Sequence, residues 1–276
     1  MTDLTAATPW KRFWDRGAWW KTIVLAVAYI ALYEGASLLL GVVVGGDIGT
    51  PNSPKYLLLG FLIPIAIGGL ILVAFAASVG WLKDLFGQQP IRGGRWMWIA
   101  VVVVLLFNLL RFASLDYAKA GFTVVALWIV IGLMIGFAEE VLTRGLVVNI
   151  MRKAGHREIV VALVSAGIFA LLHSVNLLSG QALLPTLIQL GYTFAFGILM
   201  YLALRVTGNL IWPVLLHAST DPSVFLLTAY PSGDALSSIA NLGNFVVIAA
   251  GLVLVFFIRG RVADDSNVAL SSRVAP

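Results

Sequence analysis

The sequence predicts an all-α polytopic transmembrane helical bundle of about eight spans, with both termini in the cytoplasm. Three observations carry that prediction. Of 276 residues, 60% are hydrophobic and 11% charged, with a mean hydropathy of +0.97, whereas soluble domains carry roughly 25% charged residues. Apolar runs recur at the length of ~20 residues that an α-helix needs to cross a bilayer. Lys and Arg gather in alternate connections between those runs, which fixes an orientation.

The chain opens with a polar, Trp-rich segment, residues 1–21, expected on the cytoplasmic side. No small-residue cleavage site follows the first apolar run, Thr22–Val44, so this run reads as a retained helix. It contains one acid, Glu34, and ends at Gly45-Gly46-Asp47. The second run, Tyr56–Leu82, follows Thr50-Pro51-Asn52, and the third, Trp96–Ala113, follows Gly93-Gly94. The fourth, Gly121–Met151, is long enough to tilt or to project from the bilayer. Glu158–Leu178 and Ala182–Arg205 come next. Gly208-Asn209 then introduces Leu210–Tyr230, and Pro231-Ser232-Gly233 precedes Ile239–Ile258. Residues 22–260 thus form one membrane-embedded domain without an internal repeat, and 261–276 form a polar tail expected to be disordered.

One side of this layout receives Lys11, Arg12, Arg16, Lys21, Lys83, Arg92, Arg95, Arg152, Lys153, Arg157, Arg205, Arg259, Arg261 and Arg273. The other receives Lys55, Arg111 and Lys119. The net charge of +5 therefore sets membrane orientation, and no nucleic-acid partner is expected. Trp10, Trp14, Trp19, Trp20, Trp81, Trp96 and Trp98 fall at the cytoplasmic interface, where an aromatic belt is expected. The chain has no cysteine, which excludes disulfides, zinc–thiolate sites and thiol nucleophiles.

A charge at the bilayer centre costs at least ~2.5–3.5 kcal/mol on insertion scales, so intramembrane ionisable residues face partners or wet cavities. Here they gather on the fourth, fifth and seventh spans as Glu139, Glu140, Arg144, His173, His217 and Asp221. Glu140 and Arg144 are four apart, on one helix face, and can pair as a brace. Glu139 points ~100° away and is free to handle protons. His217 and Asp221 also share a face. Two histidines and several carboxylates on separate helices suit either a water-activating site or a metal site. Reckoned at ~1.5 Å per residue, His173 lies several Å nearer the outer face than Glu139. His156, in the basic fourth connection, is expected to be solvated.

Glu139-Glu140…Arg144, Phe169…His173 and His217…Asp221, in this order on separate spans, resemble the E-E-x-x-x-R, F-x-x-x-H and H-x-x-x-N/D motifs of the CPBP intramembrane proteases. That family includes CAAX prenyl endoproteases and bacterial relatives linked to bacteriocin processing or self-immunity. The stretch Phe196-Gly197…Thr207-Gly208-Asn209-Leu210-Ile211-Trp212-Pro213 is similar to the family's approach to its third motif. The resemblance covers roughly residues 124–224 and implies an intramembrane endopeptidase of the bacterial cell membrane, acting on a membrane-associated or lipid-attached substrate. It implies that Glu139 and His173 activate water, while His217 and Asp221 polarise the carbonyl or join a metal shell. Glu139, His173 and His217 would hold the metal, with zinc as the candidate, if the enzyme is metal-dependent. Many relatives carry Asn where this chain has Asp221. An ionised Asp cannot donate to an oxyanion, so Asp221 must be protonated, orient His217 or bind a cation.

The leading expectation is cleavage near the cytoplasmic side. The alternatives are a non-catalytic immunity or scaffold protein of the same fold and a proton-coupled transporter built around Glu34. Other protease chemistries fit poorly: Ser219 and His217, two apart on a helix, point in different directions. H-E-x-x-H is absent, and Gly45-Gly46-Asp47 is not a G-x-G-D site.

Overall fold

In lipid, every backbone N–H and C=O must be bonded within the protein, so long apolar segments fold as helices. The structure, a computed structural model, describes residues 8–262; among them there is no strand, only the isolated bridges Leu115–Pro231 and Arg157–Arg261. The long helices are α1 (Trp19–Val43), α2 (Pro54–Ser78), α3 (Arg95–Ala113), α4 (Phe122–Lys153), α5 (Glu158–Leu177), α6 (Leu183–Thr207), α7 (Ile211–Ala229) and α8 (Ala235–Phe257). Among the described residues, seven of them are long and apolar enough to cross a membrane, and α7 is the exception. The expected spans are all present as helices. α7 falls short in hydropathy because His217, Ser219, Thr220 and Asp221 interrupt its apolar run.

The connections confirm the alternation of helix direction. Gln89 N–H donates to Gly208 O at 2.9 Å, Gly93 N–H to Arg205 O at 2.7 Å, and Glu158 N–H to Gly260 O at 2.9 Å. These bonds tie together the α2–α3, α4–α5 and α6–α7 connections and the end of α8. On the opposite face, Asp116 N–H donates to Tyr230 O and Ser232 N–H to Ser114 O, each at 2.9 Å. The basic connections therefore share one face of the bundle.

That face is more ordered than its charge content suggests. Glu158, fully buried, accepts from Arg152 Nε and Nη2 at 2.9 and 2.7 Å, from Arg205 Nη1 at 3.0 Å and from the Tyr201 hydroxyl. Arg152 and Arg205, expected among the charges of the cytoplasmic side, are buried because one carboxylate on α5 accepts hydrogen bonds from both. Lys21, expected in the solvated amino-terminal segment, is buried as well and donates to the Phe13 carbonyl. Arg111, expected at the outer face, is also buried, donating to Asn108 at 3.1 Å and to Asn244 at 2.9 Å.

The amino-terminal segment also packs. A short helix, Pro9–Asp15, is capped by Thr8, whose hydroxyl accepts from Lys11 N at 3.1 Å. Asp15 accepts from Trp81 Nε1 at 2.8 Å and pairs with Lys11 at 2.7 Å and Lys153 at 3.2 Å. Burial alone would raise the Asp15 carboxyl; the bonds from Lys11, Trp81 and Lys153 outweigh it and hold it below its ordinary value. Trp14 and Trp81 are consequently buried among α2 and this helix, not set in the expected aromatic belt, whereas Trp10, Trp19, Trp20 and Trp98 are exposed. Residues 1–7 of the expected amino-terminal segment and 263–276 of the expected tail lie outside the described residues.

Candidate active site

The site begins with the approach of α4 to α7, the most extensive helix pair in the molecule. Gly132, Gly136 and Glu140 follow at intervals of four and share one face. A Cβ at position 136 would lie 2.7 Å from both Ala218 N and Val214 O; at position 132 it would lie 2.4 Å from Ala218 O. Only glycine permits that separation, which follows the small-residue packing of membrane helices. One turn beyond Gly136, Glu140 therefore meets α7 at His217.

Glu140 Oε1 accepts from His217 Nδ1 at 2.8 Å and from Arg144 Nη1 at 3.1 Å. The predicted Glu140–Arg144 pair is thus present, and it reaches across to α7. Arg144 sits in a π-helical stretch, Val141–Val147, that sequence periodicity did not reveal; such insertions in α-helices recur at functional sites. Ser165 of α5 donates to the Thr143 carbonyl at 3.0 Å and holds this stretch in place. The Arg144 guanidinium lies 4.6 Å from the centre of the Phe169 ring, and Gly197 of α6 leaves it room, since a Cβ there would be 2.9 Å from Arg144 Nη2.

The other nitrogen of His217, Nε2, lies 3.5 Å from Glu139 Oε2 and 3.7 Å from Asp221 Oδ2. His217 is buried, whereas the Glu139 and Asp221 side chains keep 22% and 25% of their exposure. Phe169 and Phe196 stand edge-on to the His217 ring at 5.7 and 4.9 Å and fix its plane. Pro222, directly after Asp221, lacks the N–H that would bond the Ala218 carbonyl one turn earlier in α7.

His173 closes α5 in a 3₁₀ turn, His173–Leu177, beside Phe169. Its Nδ1 donates to the Phe169 carbonyl at 2.9 Å, so the neutral ring presents Nε2 as an acceptor. His173 and Glu139 line one cavity of about 530 Å³, so the depth offset expected between them does not separate them. This cavity extends past Gly41 of α1 to Ile48 and Ser179, in the α1–α2 and α5–α6 connections. It therefore runs toward the face away from the basic connections.

In the candidate zinc set of Glu139, His173 and His217, the first and last approach to 3.5 Å. His217 Nδ1 bonds Glu140 and His173 Nδ1 bonds a carbonyl, which leaves Nε2 as the free nitrogen of each ring. Among the described residues, no three His, Cys, Asp or Glu side chains are grouped so as to hold a metal ion. With no such group present, the chemistry is derived below from the chain's own residues.

Sequence reading missed the Gly132/Gly136 approach, which a small-xxx-small pattern one turn before Glu140 signals, and the π-helical stretch, for which no sequence signal exists. It also missed Asn108, which donates to Ser219 at 2.9 Å and Thr220 at 2.8 Å and fixes the outer face of α7.

Residues 121–222 match the family model described as type II CAAX prenyl endopeptidase Rce1-like. No curated protein and no solved structure matches the chain. The matched segment runs from the start of α4 to the residue after Asp221 and so takes in every motif residue. Over these helices the chain is similar to the CAAX-type prenyl endopeptidases, within a multi-pass membrane protein.

Proposed function

We propose that the protein is an intramembrane endopeptidase in which Glu139 and His173 activate water against a peptide bond of a membrane-associated substrate. One observation carries this reading: Glu139 and His173 face a common cavity, while the Arg144–Glu140–His217 chain braces the far side. Water held between the Glu139 carboxylate and His173 Nε2 gives a proton to Glu139, and its oxygen adds to the scissile carbonyl carbon. The carbonyl oxygen becomes an oxyanion, which the nearby His217 Nε2–H stabilises. Asp221, at ion-pair distance from the same nitrogen, pairs with the ring and orients it, so the carboxylate in place of Asn acts through His217. Glu139 then passes its proton to the departing amide nitrogen as the C–N bond breaks. The substrate is a protein or peptide held in the bilayer, and a bacterial cell membrane is the setting we infer.

Purified protein in detergent, incubated with a library of apolar peptides, tests this. Wild type is expected to cleave, Glu139→Gln and His173→Ala to lose at least ~10²-fold in kcat/KM, and cleavage to survive exhaustive chelation. Equal cleavage by all three proteins would end the reading, and loss on chelation with recovery on adding zinc would replace its glutamate-only chemistry.

A further inference from the structure

Glu34 is the intramembrane acid that this mechanism leaves unused. It lies on α1, half-buried, and lines the cavity that holds Glu139 and His173. Among the described residues it belongs to no ion pair, and no Lys or Arg lines the cavity. A carboxylate kept inside a membrane domain faces either a partner or a wet cavity. Here it faces the cavity that the substrate must enter.

A second feature points to the ligand's sign. Tyr29 and Tyr33, one helical turn apart, line the same cavity with their rings stacked at 6.0 Å and inclined by 25°. Gly68 of α2 keeps them there, since a Cβ would lie 2.7 Å from the Tyr29 hydroxyl and 3.1 Å from the Tyr33 ring. Tyrosine faces attract an ammonium or guanidinium through the ring quadrupole. An aromatic wall, an adjoining free carboxylate and no competing cation together make a receptor for positive charge. An acidic peptide segment would meet only like charge.

We propose that Glu34, with the Tyr29–Tyr33 pair, is a specificity-determining site that seats a cationic group of the substrate, a Lys or Arg side chain or a free amino terminus. The assignment rests on the endopeptidase reading for its substrate, but its charge preference is measurable without cleavage. The probes are fluorogenic apolar peptides with one Lys stepped along the sequence, matched by peptides with norleucine or Glu at that position, each with a free or an acetylated amino terminus. In wild type, kcat/KM for the best Lys peptide is expected to exceed its norleucine match by about tenfold. Glu34→Gln brings that ratio to near one, and Glu34→Lys turns the preference toward the Glu peptide. The same peptides are titrated onto Glu139→Gln protein by fluorescence anisotropy, where Kd is expected to follow the same order and to lose it in Glu34→Gln/Glu139→Gln.

Equal Kd for Lys and norleucine peptides, or a Lys preference that survives Glu34→Gln, overturns the proposal even if cleavage is robust. A Lys preference in binding that Glu34→Gln removes, without cleavage by wild type, supports the Glu34 site and sinks the endopeptidase reading instead. Selectivity confined to free over acetylated peptides assigns the site to the amino terminus.

Discussion

At the scale of single residues, Glu140 is the pivot of the site. Fully buried, it accepts from Arg144 and His217 through one oxygen and so joins α4 to α7. Breaking a buried pair leaves the surviving charge uncompensated, at about 3–5 kcal/mol, whereas replacing both partners by apolar groups of similar volume is often near neutral. Glu140→Ala is therefore expected to lower the thermal midpoint sharply in detergent. Glu140→Met with Arg144→Met should regain most of that loss without regaining cleavage, because His217 stays without its Nδ1 partner. Thermal unfolding and peptide cleavage, measured on the same preparations, check both halves. If the double variant is as unstable as the single, charge burial is not the origin of the effect. The Glu140–Arg144 pair was legible in the sequence because i to i+4 geometry is local. The bond from His217 was not, because it depends on how closely two helices approach.

That approach belongs to the scale of elements. α4 and α7 meet through Gly132 and Gly136, and His217 is positioned by the separation these glycines allow. Gly136→Val places two methyl groups where even a Cβ would be 2.7 Å from the α7 backbone. Overpacking of this kind costs about 1–3 kcal/mol. The variant is expected to lose cleavage more completely than stability, since a small displacement of α7 separates Nε2 from Glu139. Gly35→Ala on α1, where a Cβ meets nothing within 4 Å, should leave both unchanged and serves as the control. Comparable cleavage by Gly136→Val and wild type would show that the site tolerates a wider helix separation. The helices themselves were readable because twenty-residue apolar runs have one stable form in lipid. The buried Glu158 network was not, because Arg152, Glu158 and Arg205 sit at span ends, where charges are ordinarily solvated, and only the fold brings them together.

At the scale of the whole molecule, the basic connections share one face while the cavity of Glu139 and His173 runs toward the other. Under the positive-inside rule the first face is cytoplasmic, so substrate would reach the proposed Glu139–His173 pair from the outer side. The absence of cysteine makes this sidedness measurable without background. Thr50→Cys and Ser179→Cys, on the connections at the cavity end, are expected to react with a membrane-impermeant maleimide on intact cells. Gln88→Cys and Ala154→Cys, on the basic connections, should react only after permeabilisation. The reverse pattern would place the termini outside and return the cavity to the cytoplasmic side. Ser179 also lines the cavity, so a bulky maleimide adduct at Ser179→Cys should block cleavage, whereas the same adduct at Gln88→Cys should not. A block from both positions would mean that labelling disturbs the bundle as a whole. A block from Ser179→Cys alone would mark the outward cavity as the path by which substrate meets Glu139.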